Sequence, residues 1–453
     1  MKQLMITAMH SGAGKTVVTC ALLNALKKRG IDVHAFKCGP DYIDPMFHSK
    51  VLGIPSRNLD LFLQGKEAVL SSVALHGGDL AVLEGAMGYY DGVNGTEEAS
   101  AWATADFLAC PSILVVRPQG ASLTLAAQIG GMTAFRPASH LAGVLLNGCR
   151  ESLASFLSPV LERETGLPVF GFLPPMEEAN LQSRHLGLLT AEEVKDLNAR
   201  LDALSLQTER TVDLDALLAA AGPCKAQSPA RRRAERTCII AVARDEAFCF
   251  LYADTLEAMA AAGAELVFFS PLRDSSLPEE ADGLYLCGGY PELYAGRLSA
   301  NTSMLQSIRN AVHSGLPTVA ECGGFLYLQQ SLEDEGGEAY PMCGVLPGKG
   351  FQTSHLQRFG YQWIAAAEDS LLFRKGERVP AHEFHYWDCT ENGSALKIEK
   401  PNGKIWRCGY AGETLYAGFP HLSMGGEFPL AERFVEACTN YADSRRASFH
   451  SGQ

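Results

Sequence analysis

The sequence predicts a two-domain α/β protein, each domain built on a mainly parallel sheet. Apolar runs of strand length alternate with helical patterns along nearly the whole chain, the signature of α/β layering. At 453 residues the chain exceeds what one ordinary core holds, so two or three domains are expected. One stretch, residues 222–236 (GPCKAQSPARRRAER), is polar, carries two prolines and shows neither a helical nor a strand period. It reads as an interdomain linker, placing the domains at residues 1–221 and 237–445 and a tail at residues 446–453, with fraying expected from about Arg445 onward. The run Arg231, Arg232 and Arg233 is taken as solvated linker rather than an anion site.

In the first half the expected strands are residues 4–8, 33–37, 80–83, 112–116, 141–146 and 169–173. In the second they are 238–243, 264–269, 283–286 and 317–319, with a further strand pair near the end of the chain. Directly after the first strand comes HSGAGKT, residues 10–16, and directly after that a helical pattern. A strand, a glycine-rich turn and a helix joined by GKT form a phosphate loop. Backbone N–H groups around Ser11, Gly12 and Gly14 wrap phosphates, Lys15 reaches the terminal ones, and the Thr16 hydroxyl binds Mg²⁺. The strict spacing G-x-x-x-x-G-K-[ST] is not met: Met9, or Ala8 in a loop one residue longer, stands where the first glycine belongs. The alternative is a glycine turn with a chance GKT.

Acids follow at other strand ends. Asp41 and Asp44 lie in GPDYIDP, and Glu84 ends LAVLE, where nucleotide-binding loops usually have their metal-side acid. Ligands gather at the carboxyl ends of parallel strands, so these carboxylates are expected to converge on the loop, with Thr16, Asp41 and Glu84 around the metal. Partition-type ATPases carry a second lysine where this chain has His10, which disfavours a dimer switch and leaves a small-molecule ligase or kinase.

In the second half PTVAECGGFLYLQQSL runs from an apolar strand into a helical pattern with Cys322 at the turn. That layout resembles a nucleophile elbow, whose backbone N–H groups favour a thiolate and an oxyanion. A thiolate opening a carboxamide needs a histidine to manage its proton. His421, in YAGFPHLSM after the late strand pair, is the favoured base. His382 and His385, in AHEFHYW, are spaced i, i+3, but no cysteine or carboxylate ligands accompany them and a metal site there is disfavoured.

The bulk properties narrow the partners. A formal net charge of −13 argues against a nucleic-acid surface. No apolar run reaches the roughly 18 residues of a membrane span, no signal-peptide layout is present, and a cytoplasmic protein is expected. The 13 cysteines include no C-x-x-C pair, disfavouring zinc and disulfide frameworks.

Taken together, HSGAGKT, FKCGPDYIDPMFH, LEGAMGYYDG, SRHLGL, IAVARDEAFCF, FFSPLRD, CGGYPEL, ECGGFLYL, HEFHYW and PHLSM occur in the order and spacing of the cobyrinic acid a,c-diamide synthases. The chain resembles these glutamine-dependent ligases of corrinoid synthesis over nearly its whole length. The resemblance implies an N-terminal domain like dethiobiotin synthetase that binds Mg-ATP through Gly12, Gly14, Lys15 and Thr16, with Asp41, Asp44 and Glu84 as its acidic residues. It also implies a C-terminal domain like the class I glutamine amidotransferases. There the nucleophile falls on Cys322, the base on His421, and the oxyanion side on Gly288, Gly289 and Gly323 near GGYPE. Triads of this class carry glutamate two residues after the histidine; here that residue is Ser423, and no third member is assigned. Arg184 and His185, in SRHLGL, are candidates to hold the corrin, a salt bridge or helix cap being the alternative.

The implied partners are glutamine, ATP and a corrinoid or related tetrapyrrole, with a homodimer as the candidate assembly. Hydrogenobyrinic acid, nickel-sirohydrochlorin and the substrate of cobyric acid synthase remain alternative substrates. A nucleotide switch with a non-catalytic C-terminal binding module is the alternative from another class.

Overall fold

The computed structural model describes residues 1–179, 191–224 and 234–451. The chain divides into two compact units, Met1–Pro229 and Ala230–Gln453.

The first unit alternates strand and helix. It runs β1 (Lys2–Ala8), α1 (Lys15–Lys28), β2 (Val33–Cys38), α2 (Ile43–Lys50), β3 (Ser56–Leu59), α3 (Lys66–His76) and β4 (Leu80–Glu84). It continues with α4 (Ala101–Leu108), β5 (Ser112–Val116), α5 (Leu123–Ala134), β6 (Leu141–Asn147), α6 (Glu151–Thr165), β7 (Val169–Leu173), α7 (Ala191–Thr211) and α8 (Leu214–Ala220). Seven strands pair in parallel in the order β3-β2-β4-β1-β5-β6-β7. All five residues of β4 and of β5 are buried, as expected where helices cover both faces of a parallel sheet. The register sets Lys37, Glu84 and Ile6 side by side at the carboxyl ends of β2, β4 and β1, so the sheet itself delivers the acid to the loop.

The expected linker is tied to this sheet at its start. Gly222 and Pro223, as β8 (Gly222–Pro223), pair antiparallel with Gln3 and Lys2 of β1. Arg231, Arg232 and Arg233 lie outside the described residues, as do Arg184 and His185.

The second unit opens with β9 (Cys238–Ala243), β10 (Phe248–Phe250), α9 (Ala253–Ala261), β11 (Ala264–Phe269), β12 (Gly283–Leu286) and β13 (Gly288–Gly289). Next come α10 (Ala295–Ala300), α11 (Thr302–His313), β14 (Thr318–Glu321) and α12 (Gly323–Tyr327). A second sheet is built from β15 (Ser331–Glu333), β16 (Ala339–Pro341), β17 (Lys349–Ala366), β18 (Arg378–Cys389), β19 (Leu396–Glu399) and β20 (Ile405–Cys408). The chain then returns as β21 (Tyr410–Ala411) and β22 (Leu415–Gly418) and closes on α13 (Leu430–Ser451). The main sheet has the order β11-β9-β12-β14-β22-β21, parallel except for β21. Because β14 and β22 are neighbours, the residues following each strand emerge side by side.

Over the expected tail the described backbone is helical, α13 continuing to Ser451. Arg445 donates to Asp282 Oδ1 at 2.9 Å, an ion pair with a buried carboxylate that draws this turn of helix onto the domain.

Candidate active sites

The loop after β1 does not follow the spacing of a strict phosphate loop, yet its backbone has the required form. Gly12 and Gly14 take φ +82° and +94°, in the left-handed region that favours glycine. A Cβ on Gly14 would lie 2.0 Å from Asn147 Nδ2, and that amide donates to Ala13 O at 2.9 Å, fixing the loop from the end of β6. Beside Gly12 a Cβ would meet nothing within 4 Å. Lys15, at the start of α1, donates to Met87 O and to His10 O (3.4 Å), and so spans its own loop. Burial and then Lys37 push the Lys15 ammonium down to about 8, against the pull of Glu84, Asp44 and Asp91.

Thr16 Oγ1 donates to Glu84 Oε1 at 2.7 Å. The same oxygen accepts from Lys37 Nζ at 2.9 Å, and Lys37 also pairs with Asp44 Oδ2 at 2.5 Å. Two buried carboxylates thus share one ammonium. Burial pushes Glu84, which has no exposed surface, up to about 7; Asp44 stays below the usual carboxylate range because Lys37 outweighs its own burial. His48, pushed down to about 4 chiefly by burial, places Nε2 3.7 Å from Glu84 Oε2. Asp41 lies just before α2, its Oδ1 accepting the N–H groups of Ile43 (2.7 Å) and Asp44 (3.4 Å).

The structure therefore brings Gly12, Gly14, Lys15, Thr16, Glu84 and Asp44 together, with Asp41 at the adjoining helix start and Ser11 exposed on the loop. Lys37, His48 and Asn147 were missed. The sequence signal for Lys37 was a lysine inside the apolar strand VHAFKC, which has to find a counter-ion. The donor set fits a hard cation: Glu84 Oε2 is buried without a hydrogen-bond partner, on the acid that already holds the Thr16 hydroxyl.

In the second unit Cys322 sits between β14 and α12 at φ +46°, ψ −100°, a strained conformation for a residue with a Cβ. This is the sharp strand-to-helix turn of a nucleophile elbow. His421 follows β22 and is fastened by reciprocal backbone hydrogen bonds with His382 of β18, 2.8 and 3.1 Å. Burial opposes a charged imidazole, but hydrogen bonds and charge from Cys322 and Glu321 overcome it and push His421 up to about 10. A Cβ on Gly288 would lie 2.6 Å from His421 Cε1, and one on Gly323 would lie 3.0 Å from Gly289 N. Side chains at these glycines would fill the space that Cys322 and His421 share with β13.

His382 and His385 lie on a strand, where i and i+3 point to opposite faces, so they cannot share a metal. His385 instead stacks on Phe419 at 3.9 Å and 5°, supporting the segment that carries His421. Glu321 and Tyr285 were missed: Glu321 Oε2 accepts from Tyr285 OH at 3.0 Å and stands 3.8 Å from His421 Nδ1.

A strained cysteine beside a clamped histidine, in a chain that also folds a phosphate loop, defines a glutamine amidotransferase of the nucleotide-dependent ligase type. Residues 4–188 match the CobQ/CobB/MinD/ParA nucleotide binding domain, and residues 239–425 match the CobB/CobQ-like glutamine amidotransferase domain. The chain is 38% identical to the cobyrinate a,c-diamide synthase of Clostridium acetobutylicum, over 96% of this chain and 100% of that protein. It is 40% identical to that of Listeria innocua (93% and 96% covered) and 39% identical to that of Salmonella typhimurium (94% and 96%). The chain belongs to the cobyrinate a,c-diamide synthase family. Among the described residues no helix is long and apolar enough to cross a membrane.

Proposed function

We propose that this protein converts the a- and c-carboxylates of cobyrinic acid to carboxamides, using glutamine as nitrogen donor and ATP to activate each carboxylate. The observation that carries the reading is the presence of two sets of reacting groups in one chain. Cys322 with His421 serves the release of ammonia, and the 12–16 loop with Glu84, Lys37 and Asp44 serves phosphoryl transfer.

The Cys322 thiolate attacks the glutamine carboxamide carbon, and the His421 imidazolium gives its proton to the departing ammonia. Water then cleaves the thioester to glutamate and restores the thiol. Gly288 and Gly323 keep side chains away from His421 and from the Gly289 N–H, the donor offered to an oxyanion formed at the thiol. In the first unit a corrinoid carboxylate attacks the γ-phosphorus of ATP, ADP leaves, and ammonia displaces phosphate from the acyl phosphate. Activation is needed because hydroxide is a far poorer leaving group than phosphate. Lys15 neutralises charge on the transferring phosphoryl group, and the left-handed turns at Gly12 and Gly14 shape the loop whose backbone N–H groups receive the phosphate oxygens. Thr16 and Glu84, with Asp41 adjoining, would hold Mg²⁺, which supplies charge neutralisation on the phosphates when bound.

The test is to incubate the protein with Mg-ATP, glutamine and cobyrinic acid and to follow the corrinoid by mass. Successive monoamide and diamide products are expected. Glutamine hydrolysis with an unchanged corrinoid would overturn the substrate assignment and turn the search to the nickel-bearing and metal-free tetrapyrroles.

A further inference from the structure

The glutaminase centre has a nucleophile and a base, and Ser423 stands where a triad of this class would carry its glutamate. A different carboxylate reaches the imidazole. Glu321 ends β14 opposite Gly418 of β22, is 1% exposed, and places Oε2 3.8 Å from His421 Nδ1. Its orientation is fixed on both oxygens. Oε1 accepts the N–H of Leu422, the residue after His421, at 3.1 Å, and Oε2 accepts Tyr285 OH from β12 at 3.0 Å.

We propose that Glu321, the residue immediately before the nucleophile, is the carboxylate that positions His421 and holds its imidazolium during glutamine hydrolysis. The inference rests on the glutaminase half of the proposed function.

Charge compensation argues for it first. A buried carboxylate needs a counter-ion, and among the described residues the ion-pair partner of Glu321 is His421, with no lysine or arginine beside it. Backbone geometry argues for it second. Along a regular strand Glu321 and the next side chain would face opposite ways, but Cys322 leaves the strand at φ +46°, so the turn presents both side chains to one histidine. Among the described residues, titratable groups beside His421 include Cys322 and Glu321 at the end of β14 and His382 of β18. Burial first, then His421 and Lys400, push His382 down to about 3, so it adds no competing positive charge. The opposing effects on His421 itself settle in favour of the charged ring, consistent with a carboxylate at this distance. Glu321 acts through His421 and is a positioning residue.

The test measures glutamate release by the full chain, with Mg-ATP and cobyrinic acid present, as a function of pH for the unsubstituted protein, Glu321→Gln and Glu321→Asp. Removing the charge should lower kcat at least about tenfold with little change in KM for glutamine. It should also move the alkaline limb, where the imidazolium is lost, down by about one pH unit or more. Glu321→Asp keeps the charge and should keep the limb near its original position while recovering part of kcat. A merely structural glutamate would change the amplitude and leave the limb in place, so an unmoved limb in Glu321→Gln overturns the inference. If that variant does not fold, Tyr285→Phe replaces it. Freeing Oε2 from the phenol should strengthen its hold on His421 and move the limb upward, and an unmoved limb again overturns the inference. Failure of the unsubstituted protein to release glutamate would overturn the glutaminase reading, and this inference with it.

Discussion

At Gly14 the backbone sits at φ +94°, and a Cβ there would stand 2.0 Å from the Asn147 amide that pins the loop through Ala13. Gly14→Ala would incur about 1–2 kcal/mol for the left-handed backbone alone. It would also force Asn147 out of place. ATP binding, measured by calorimetry, should weaken at least about tenfold. Gly12 has a similar φ of +82° but open space around its missing side chain, so Gly12→Ala should weaken binding less. Equal losses would mean that backbone conformation, and not the Asn147 contact, limits the loop. The glycines, Lys15 and Thr16 were legible because their chemistry is written in consecutive residues. Asn147 was not, since nothing near it in sequence refers to a loop 134 residues earlier.

The carboxyl ends of β2 and β4 form the next level. Parallel register sets Lys37 beside Glu84, and the first turn of α2 adds Asp44, so one ammonium balances two buried acids. Lys37→Met would leave both acids without a counter-charge and should lower the stability of the first unit by about 3 kcal/mol near pH 8. The pH dependence has a definite sign. Folding raises Glu84 from the ordinary carboxylate range to about 7, so its ionised form is a penalty to the fold that is present above that value. Protonation relieves the penalty as pH falls, and the gap between Lys37→Met and the unsubstituted protein in urea unfolding should narrow from pH 8 to pH 6. A gap independent of pH would mean that lost packing, not uncompensated charge, causes the effect. Most parallel strands of both units were legible, because buried ones are continuous apolar runs; β3, whose sequence is SRNL, has no such run and was missed. The hairpin of β17 and β18 was not. Its register shifts between Gln352 and Gly360, Arg358 takes φ +42°, and Lys400 Nζ donates to the carbonyls of Arg358, Phe359 and Gly360, an irregularity that leaves no clean two-residue period.

Across the whole molecule the two proposed sets of reacting groups fall in separate compact units, Met1–Pro229 and Ala230–Gln453, each with its own buried core. Among the described residues the hydrogen bonds that fix the loop at Lys15 come from Asn147 and Met87 of the first unit, and those that fix Glu321 beside Cys322 come from Leu422 and Tyr285 of the second. Deleting the nucleophile should therefore abolish glutamine as a nitrogen source and leave phosphoryl transfer intact. Cys322→Ala should form no diamide from glutamine but regain amidation of cobyrinic acid when ammonium chloride is supplied at alkaline pH, where free ammonia is more abundant. Lys15→Ala should fail with either nitrogen source, because its loss removes the charge that stabilises the transferring phosphoryl group, and with it the acyl phosphate that ammonia must attack. Corrinoid mass with each nitrogen source distinguishes the outcomes. Rescue of Lys15→Ala by ammonium would mean that the lysine serves the glutaminase rather than the synthetase. No rescue of a folded Cys322→Ala would mean that the thiol's contribution extends beyond supplying ammonia, and would end the assignment of the two half-reactions to two independent sets of residues.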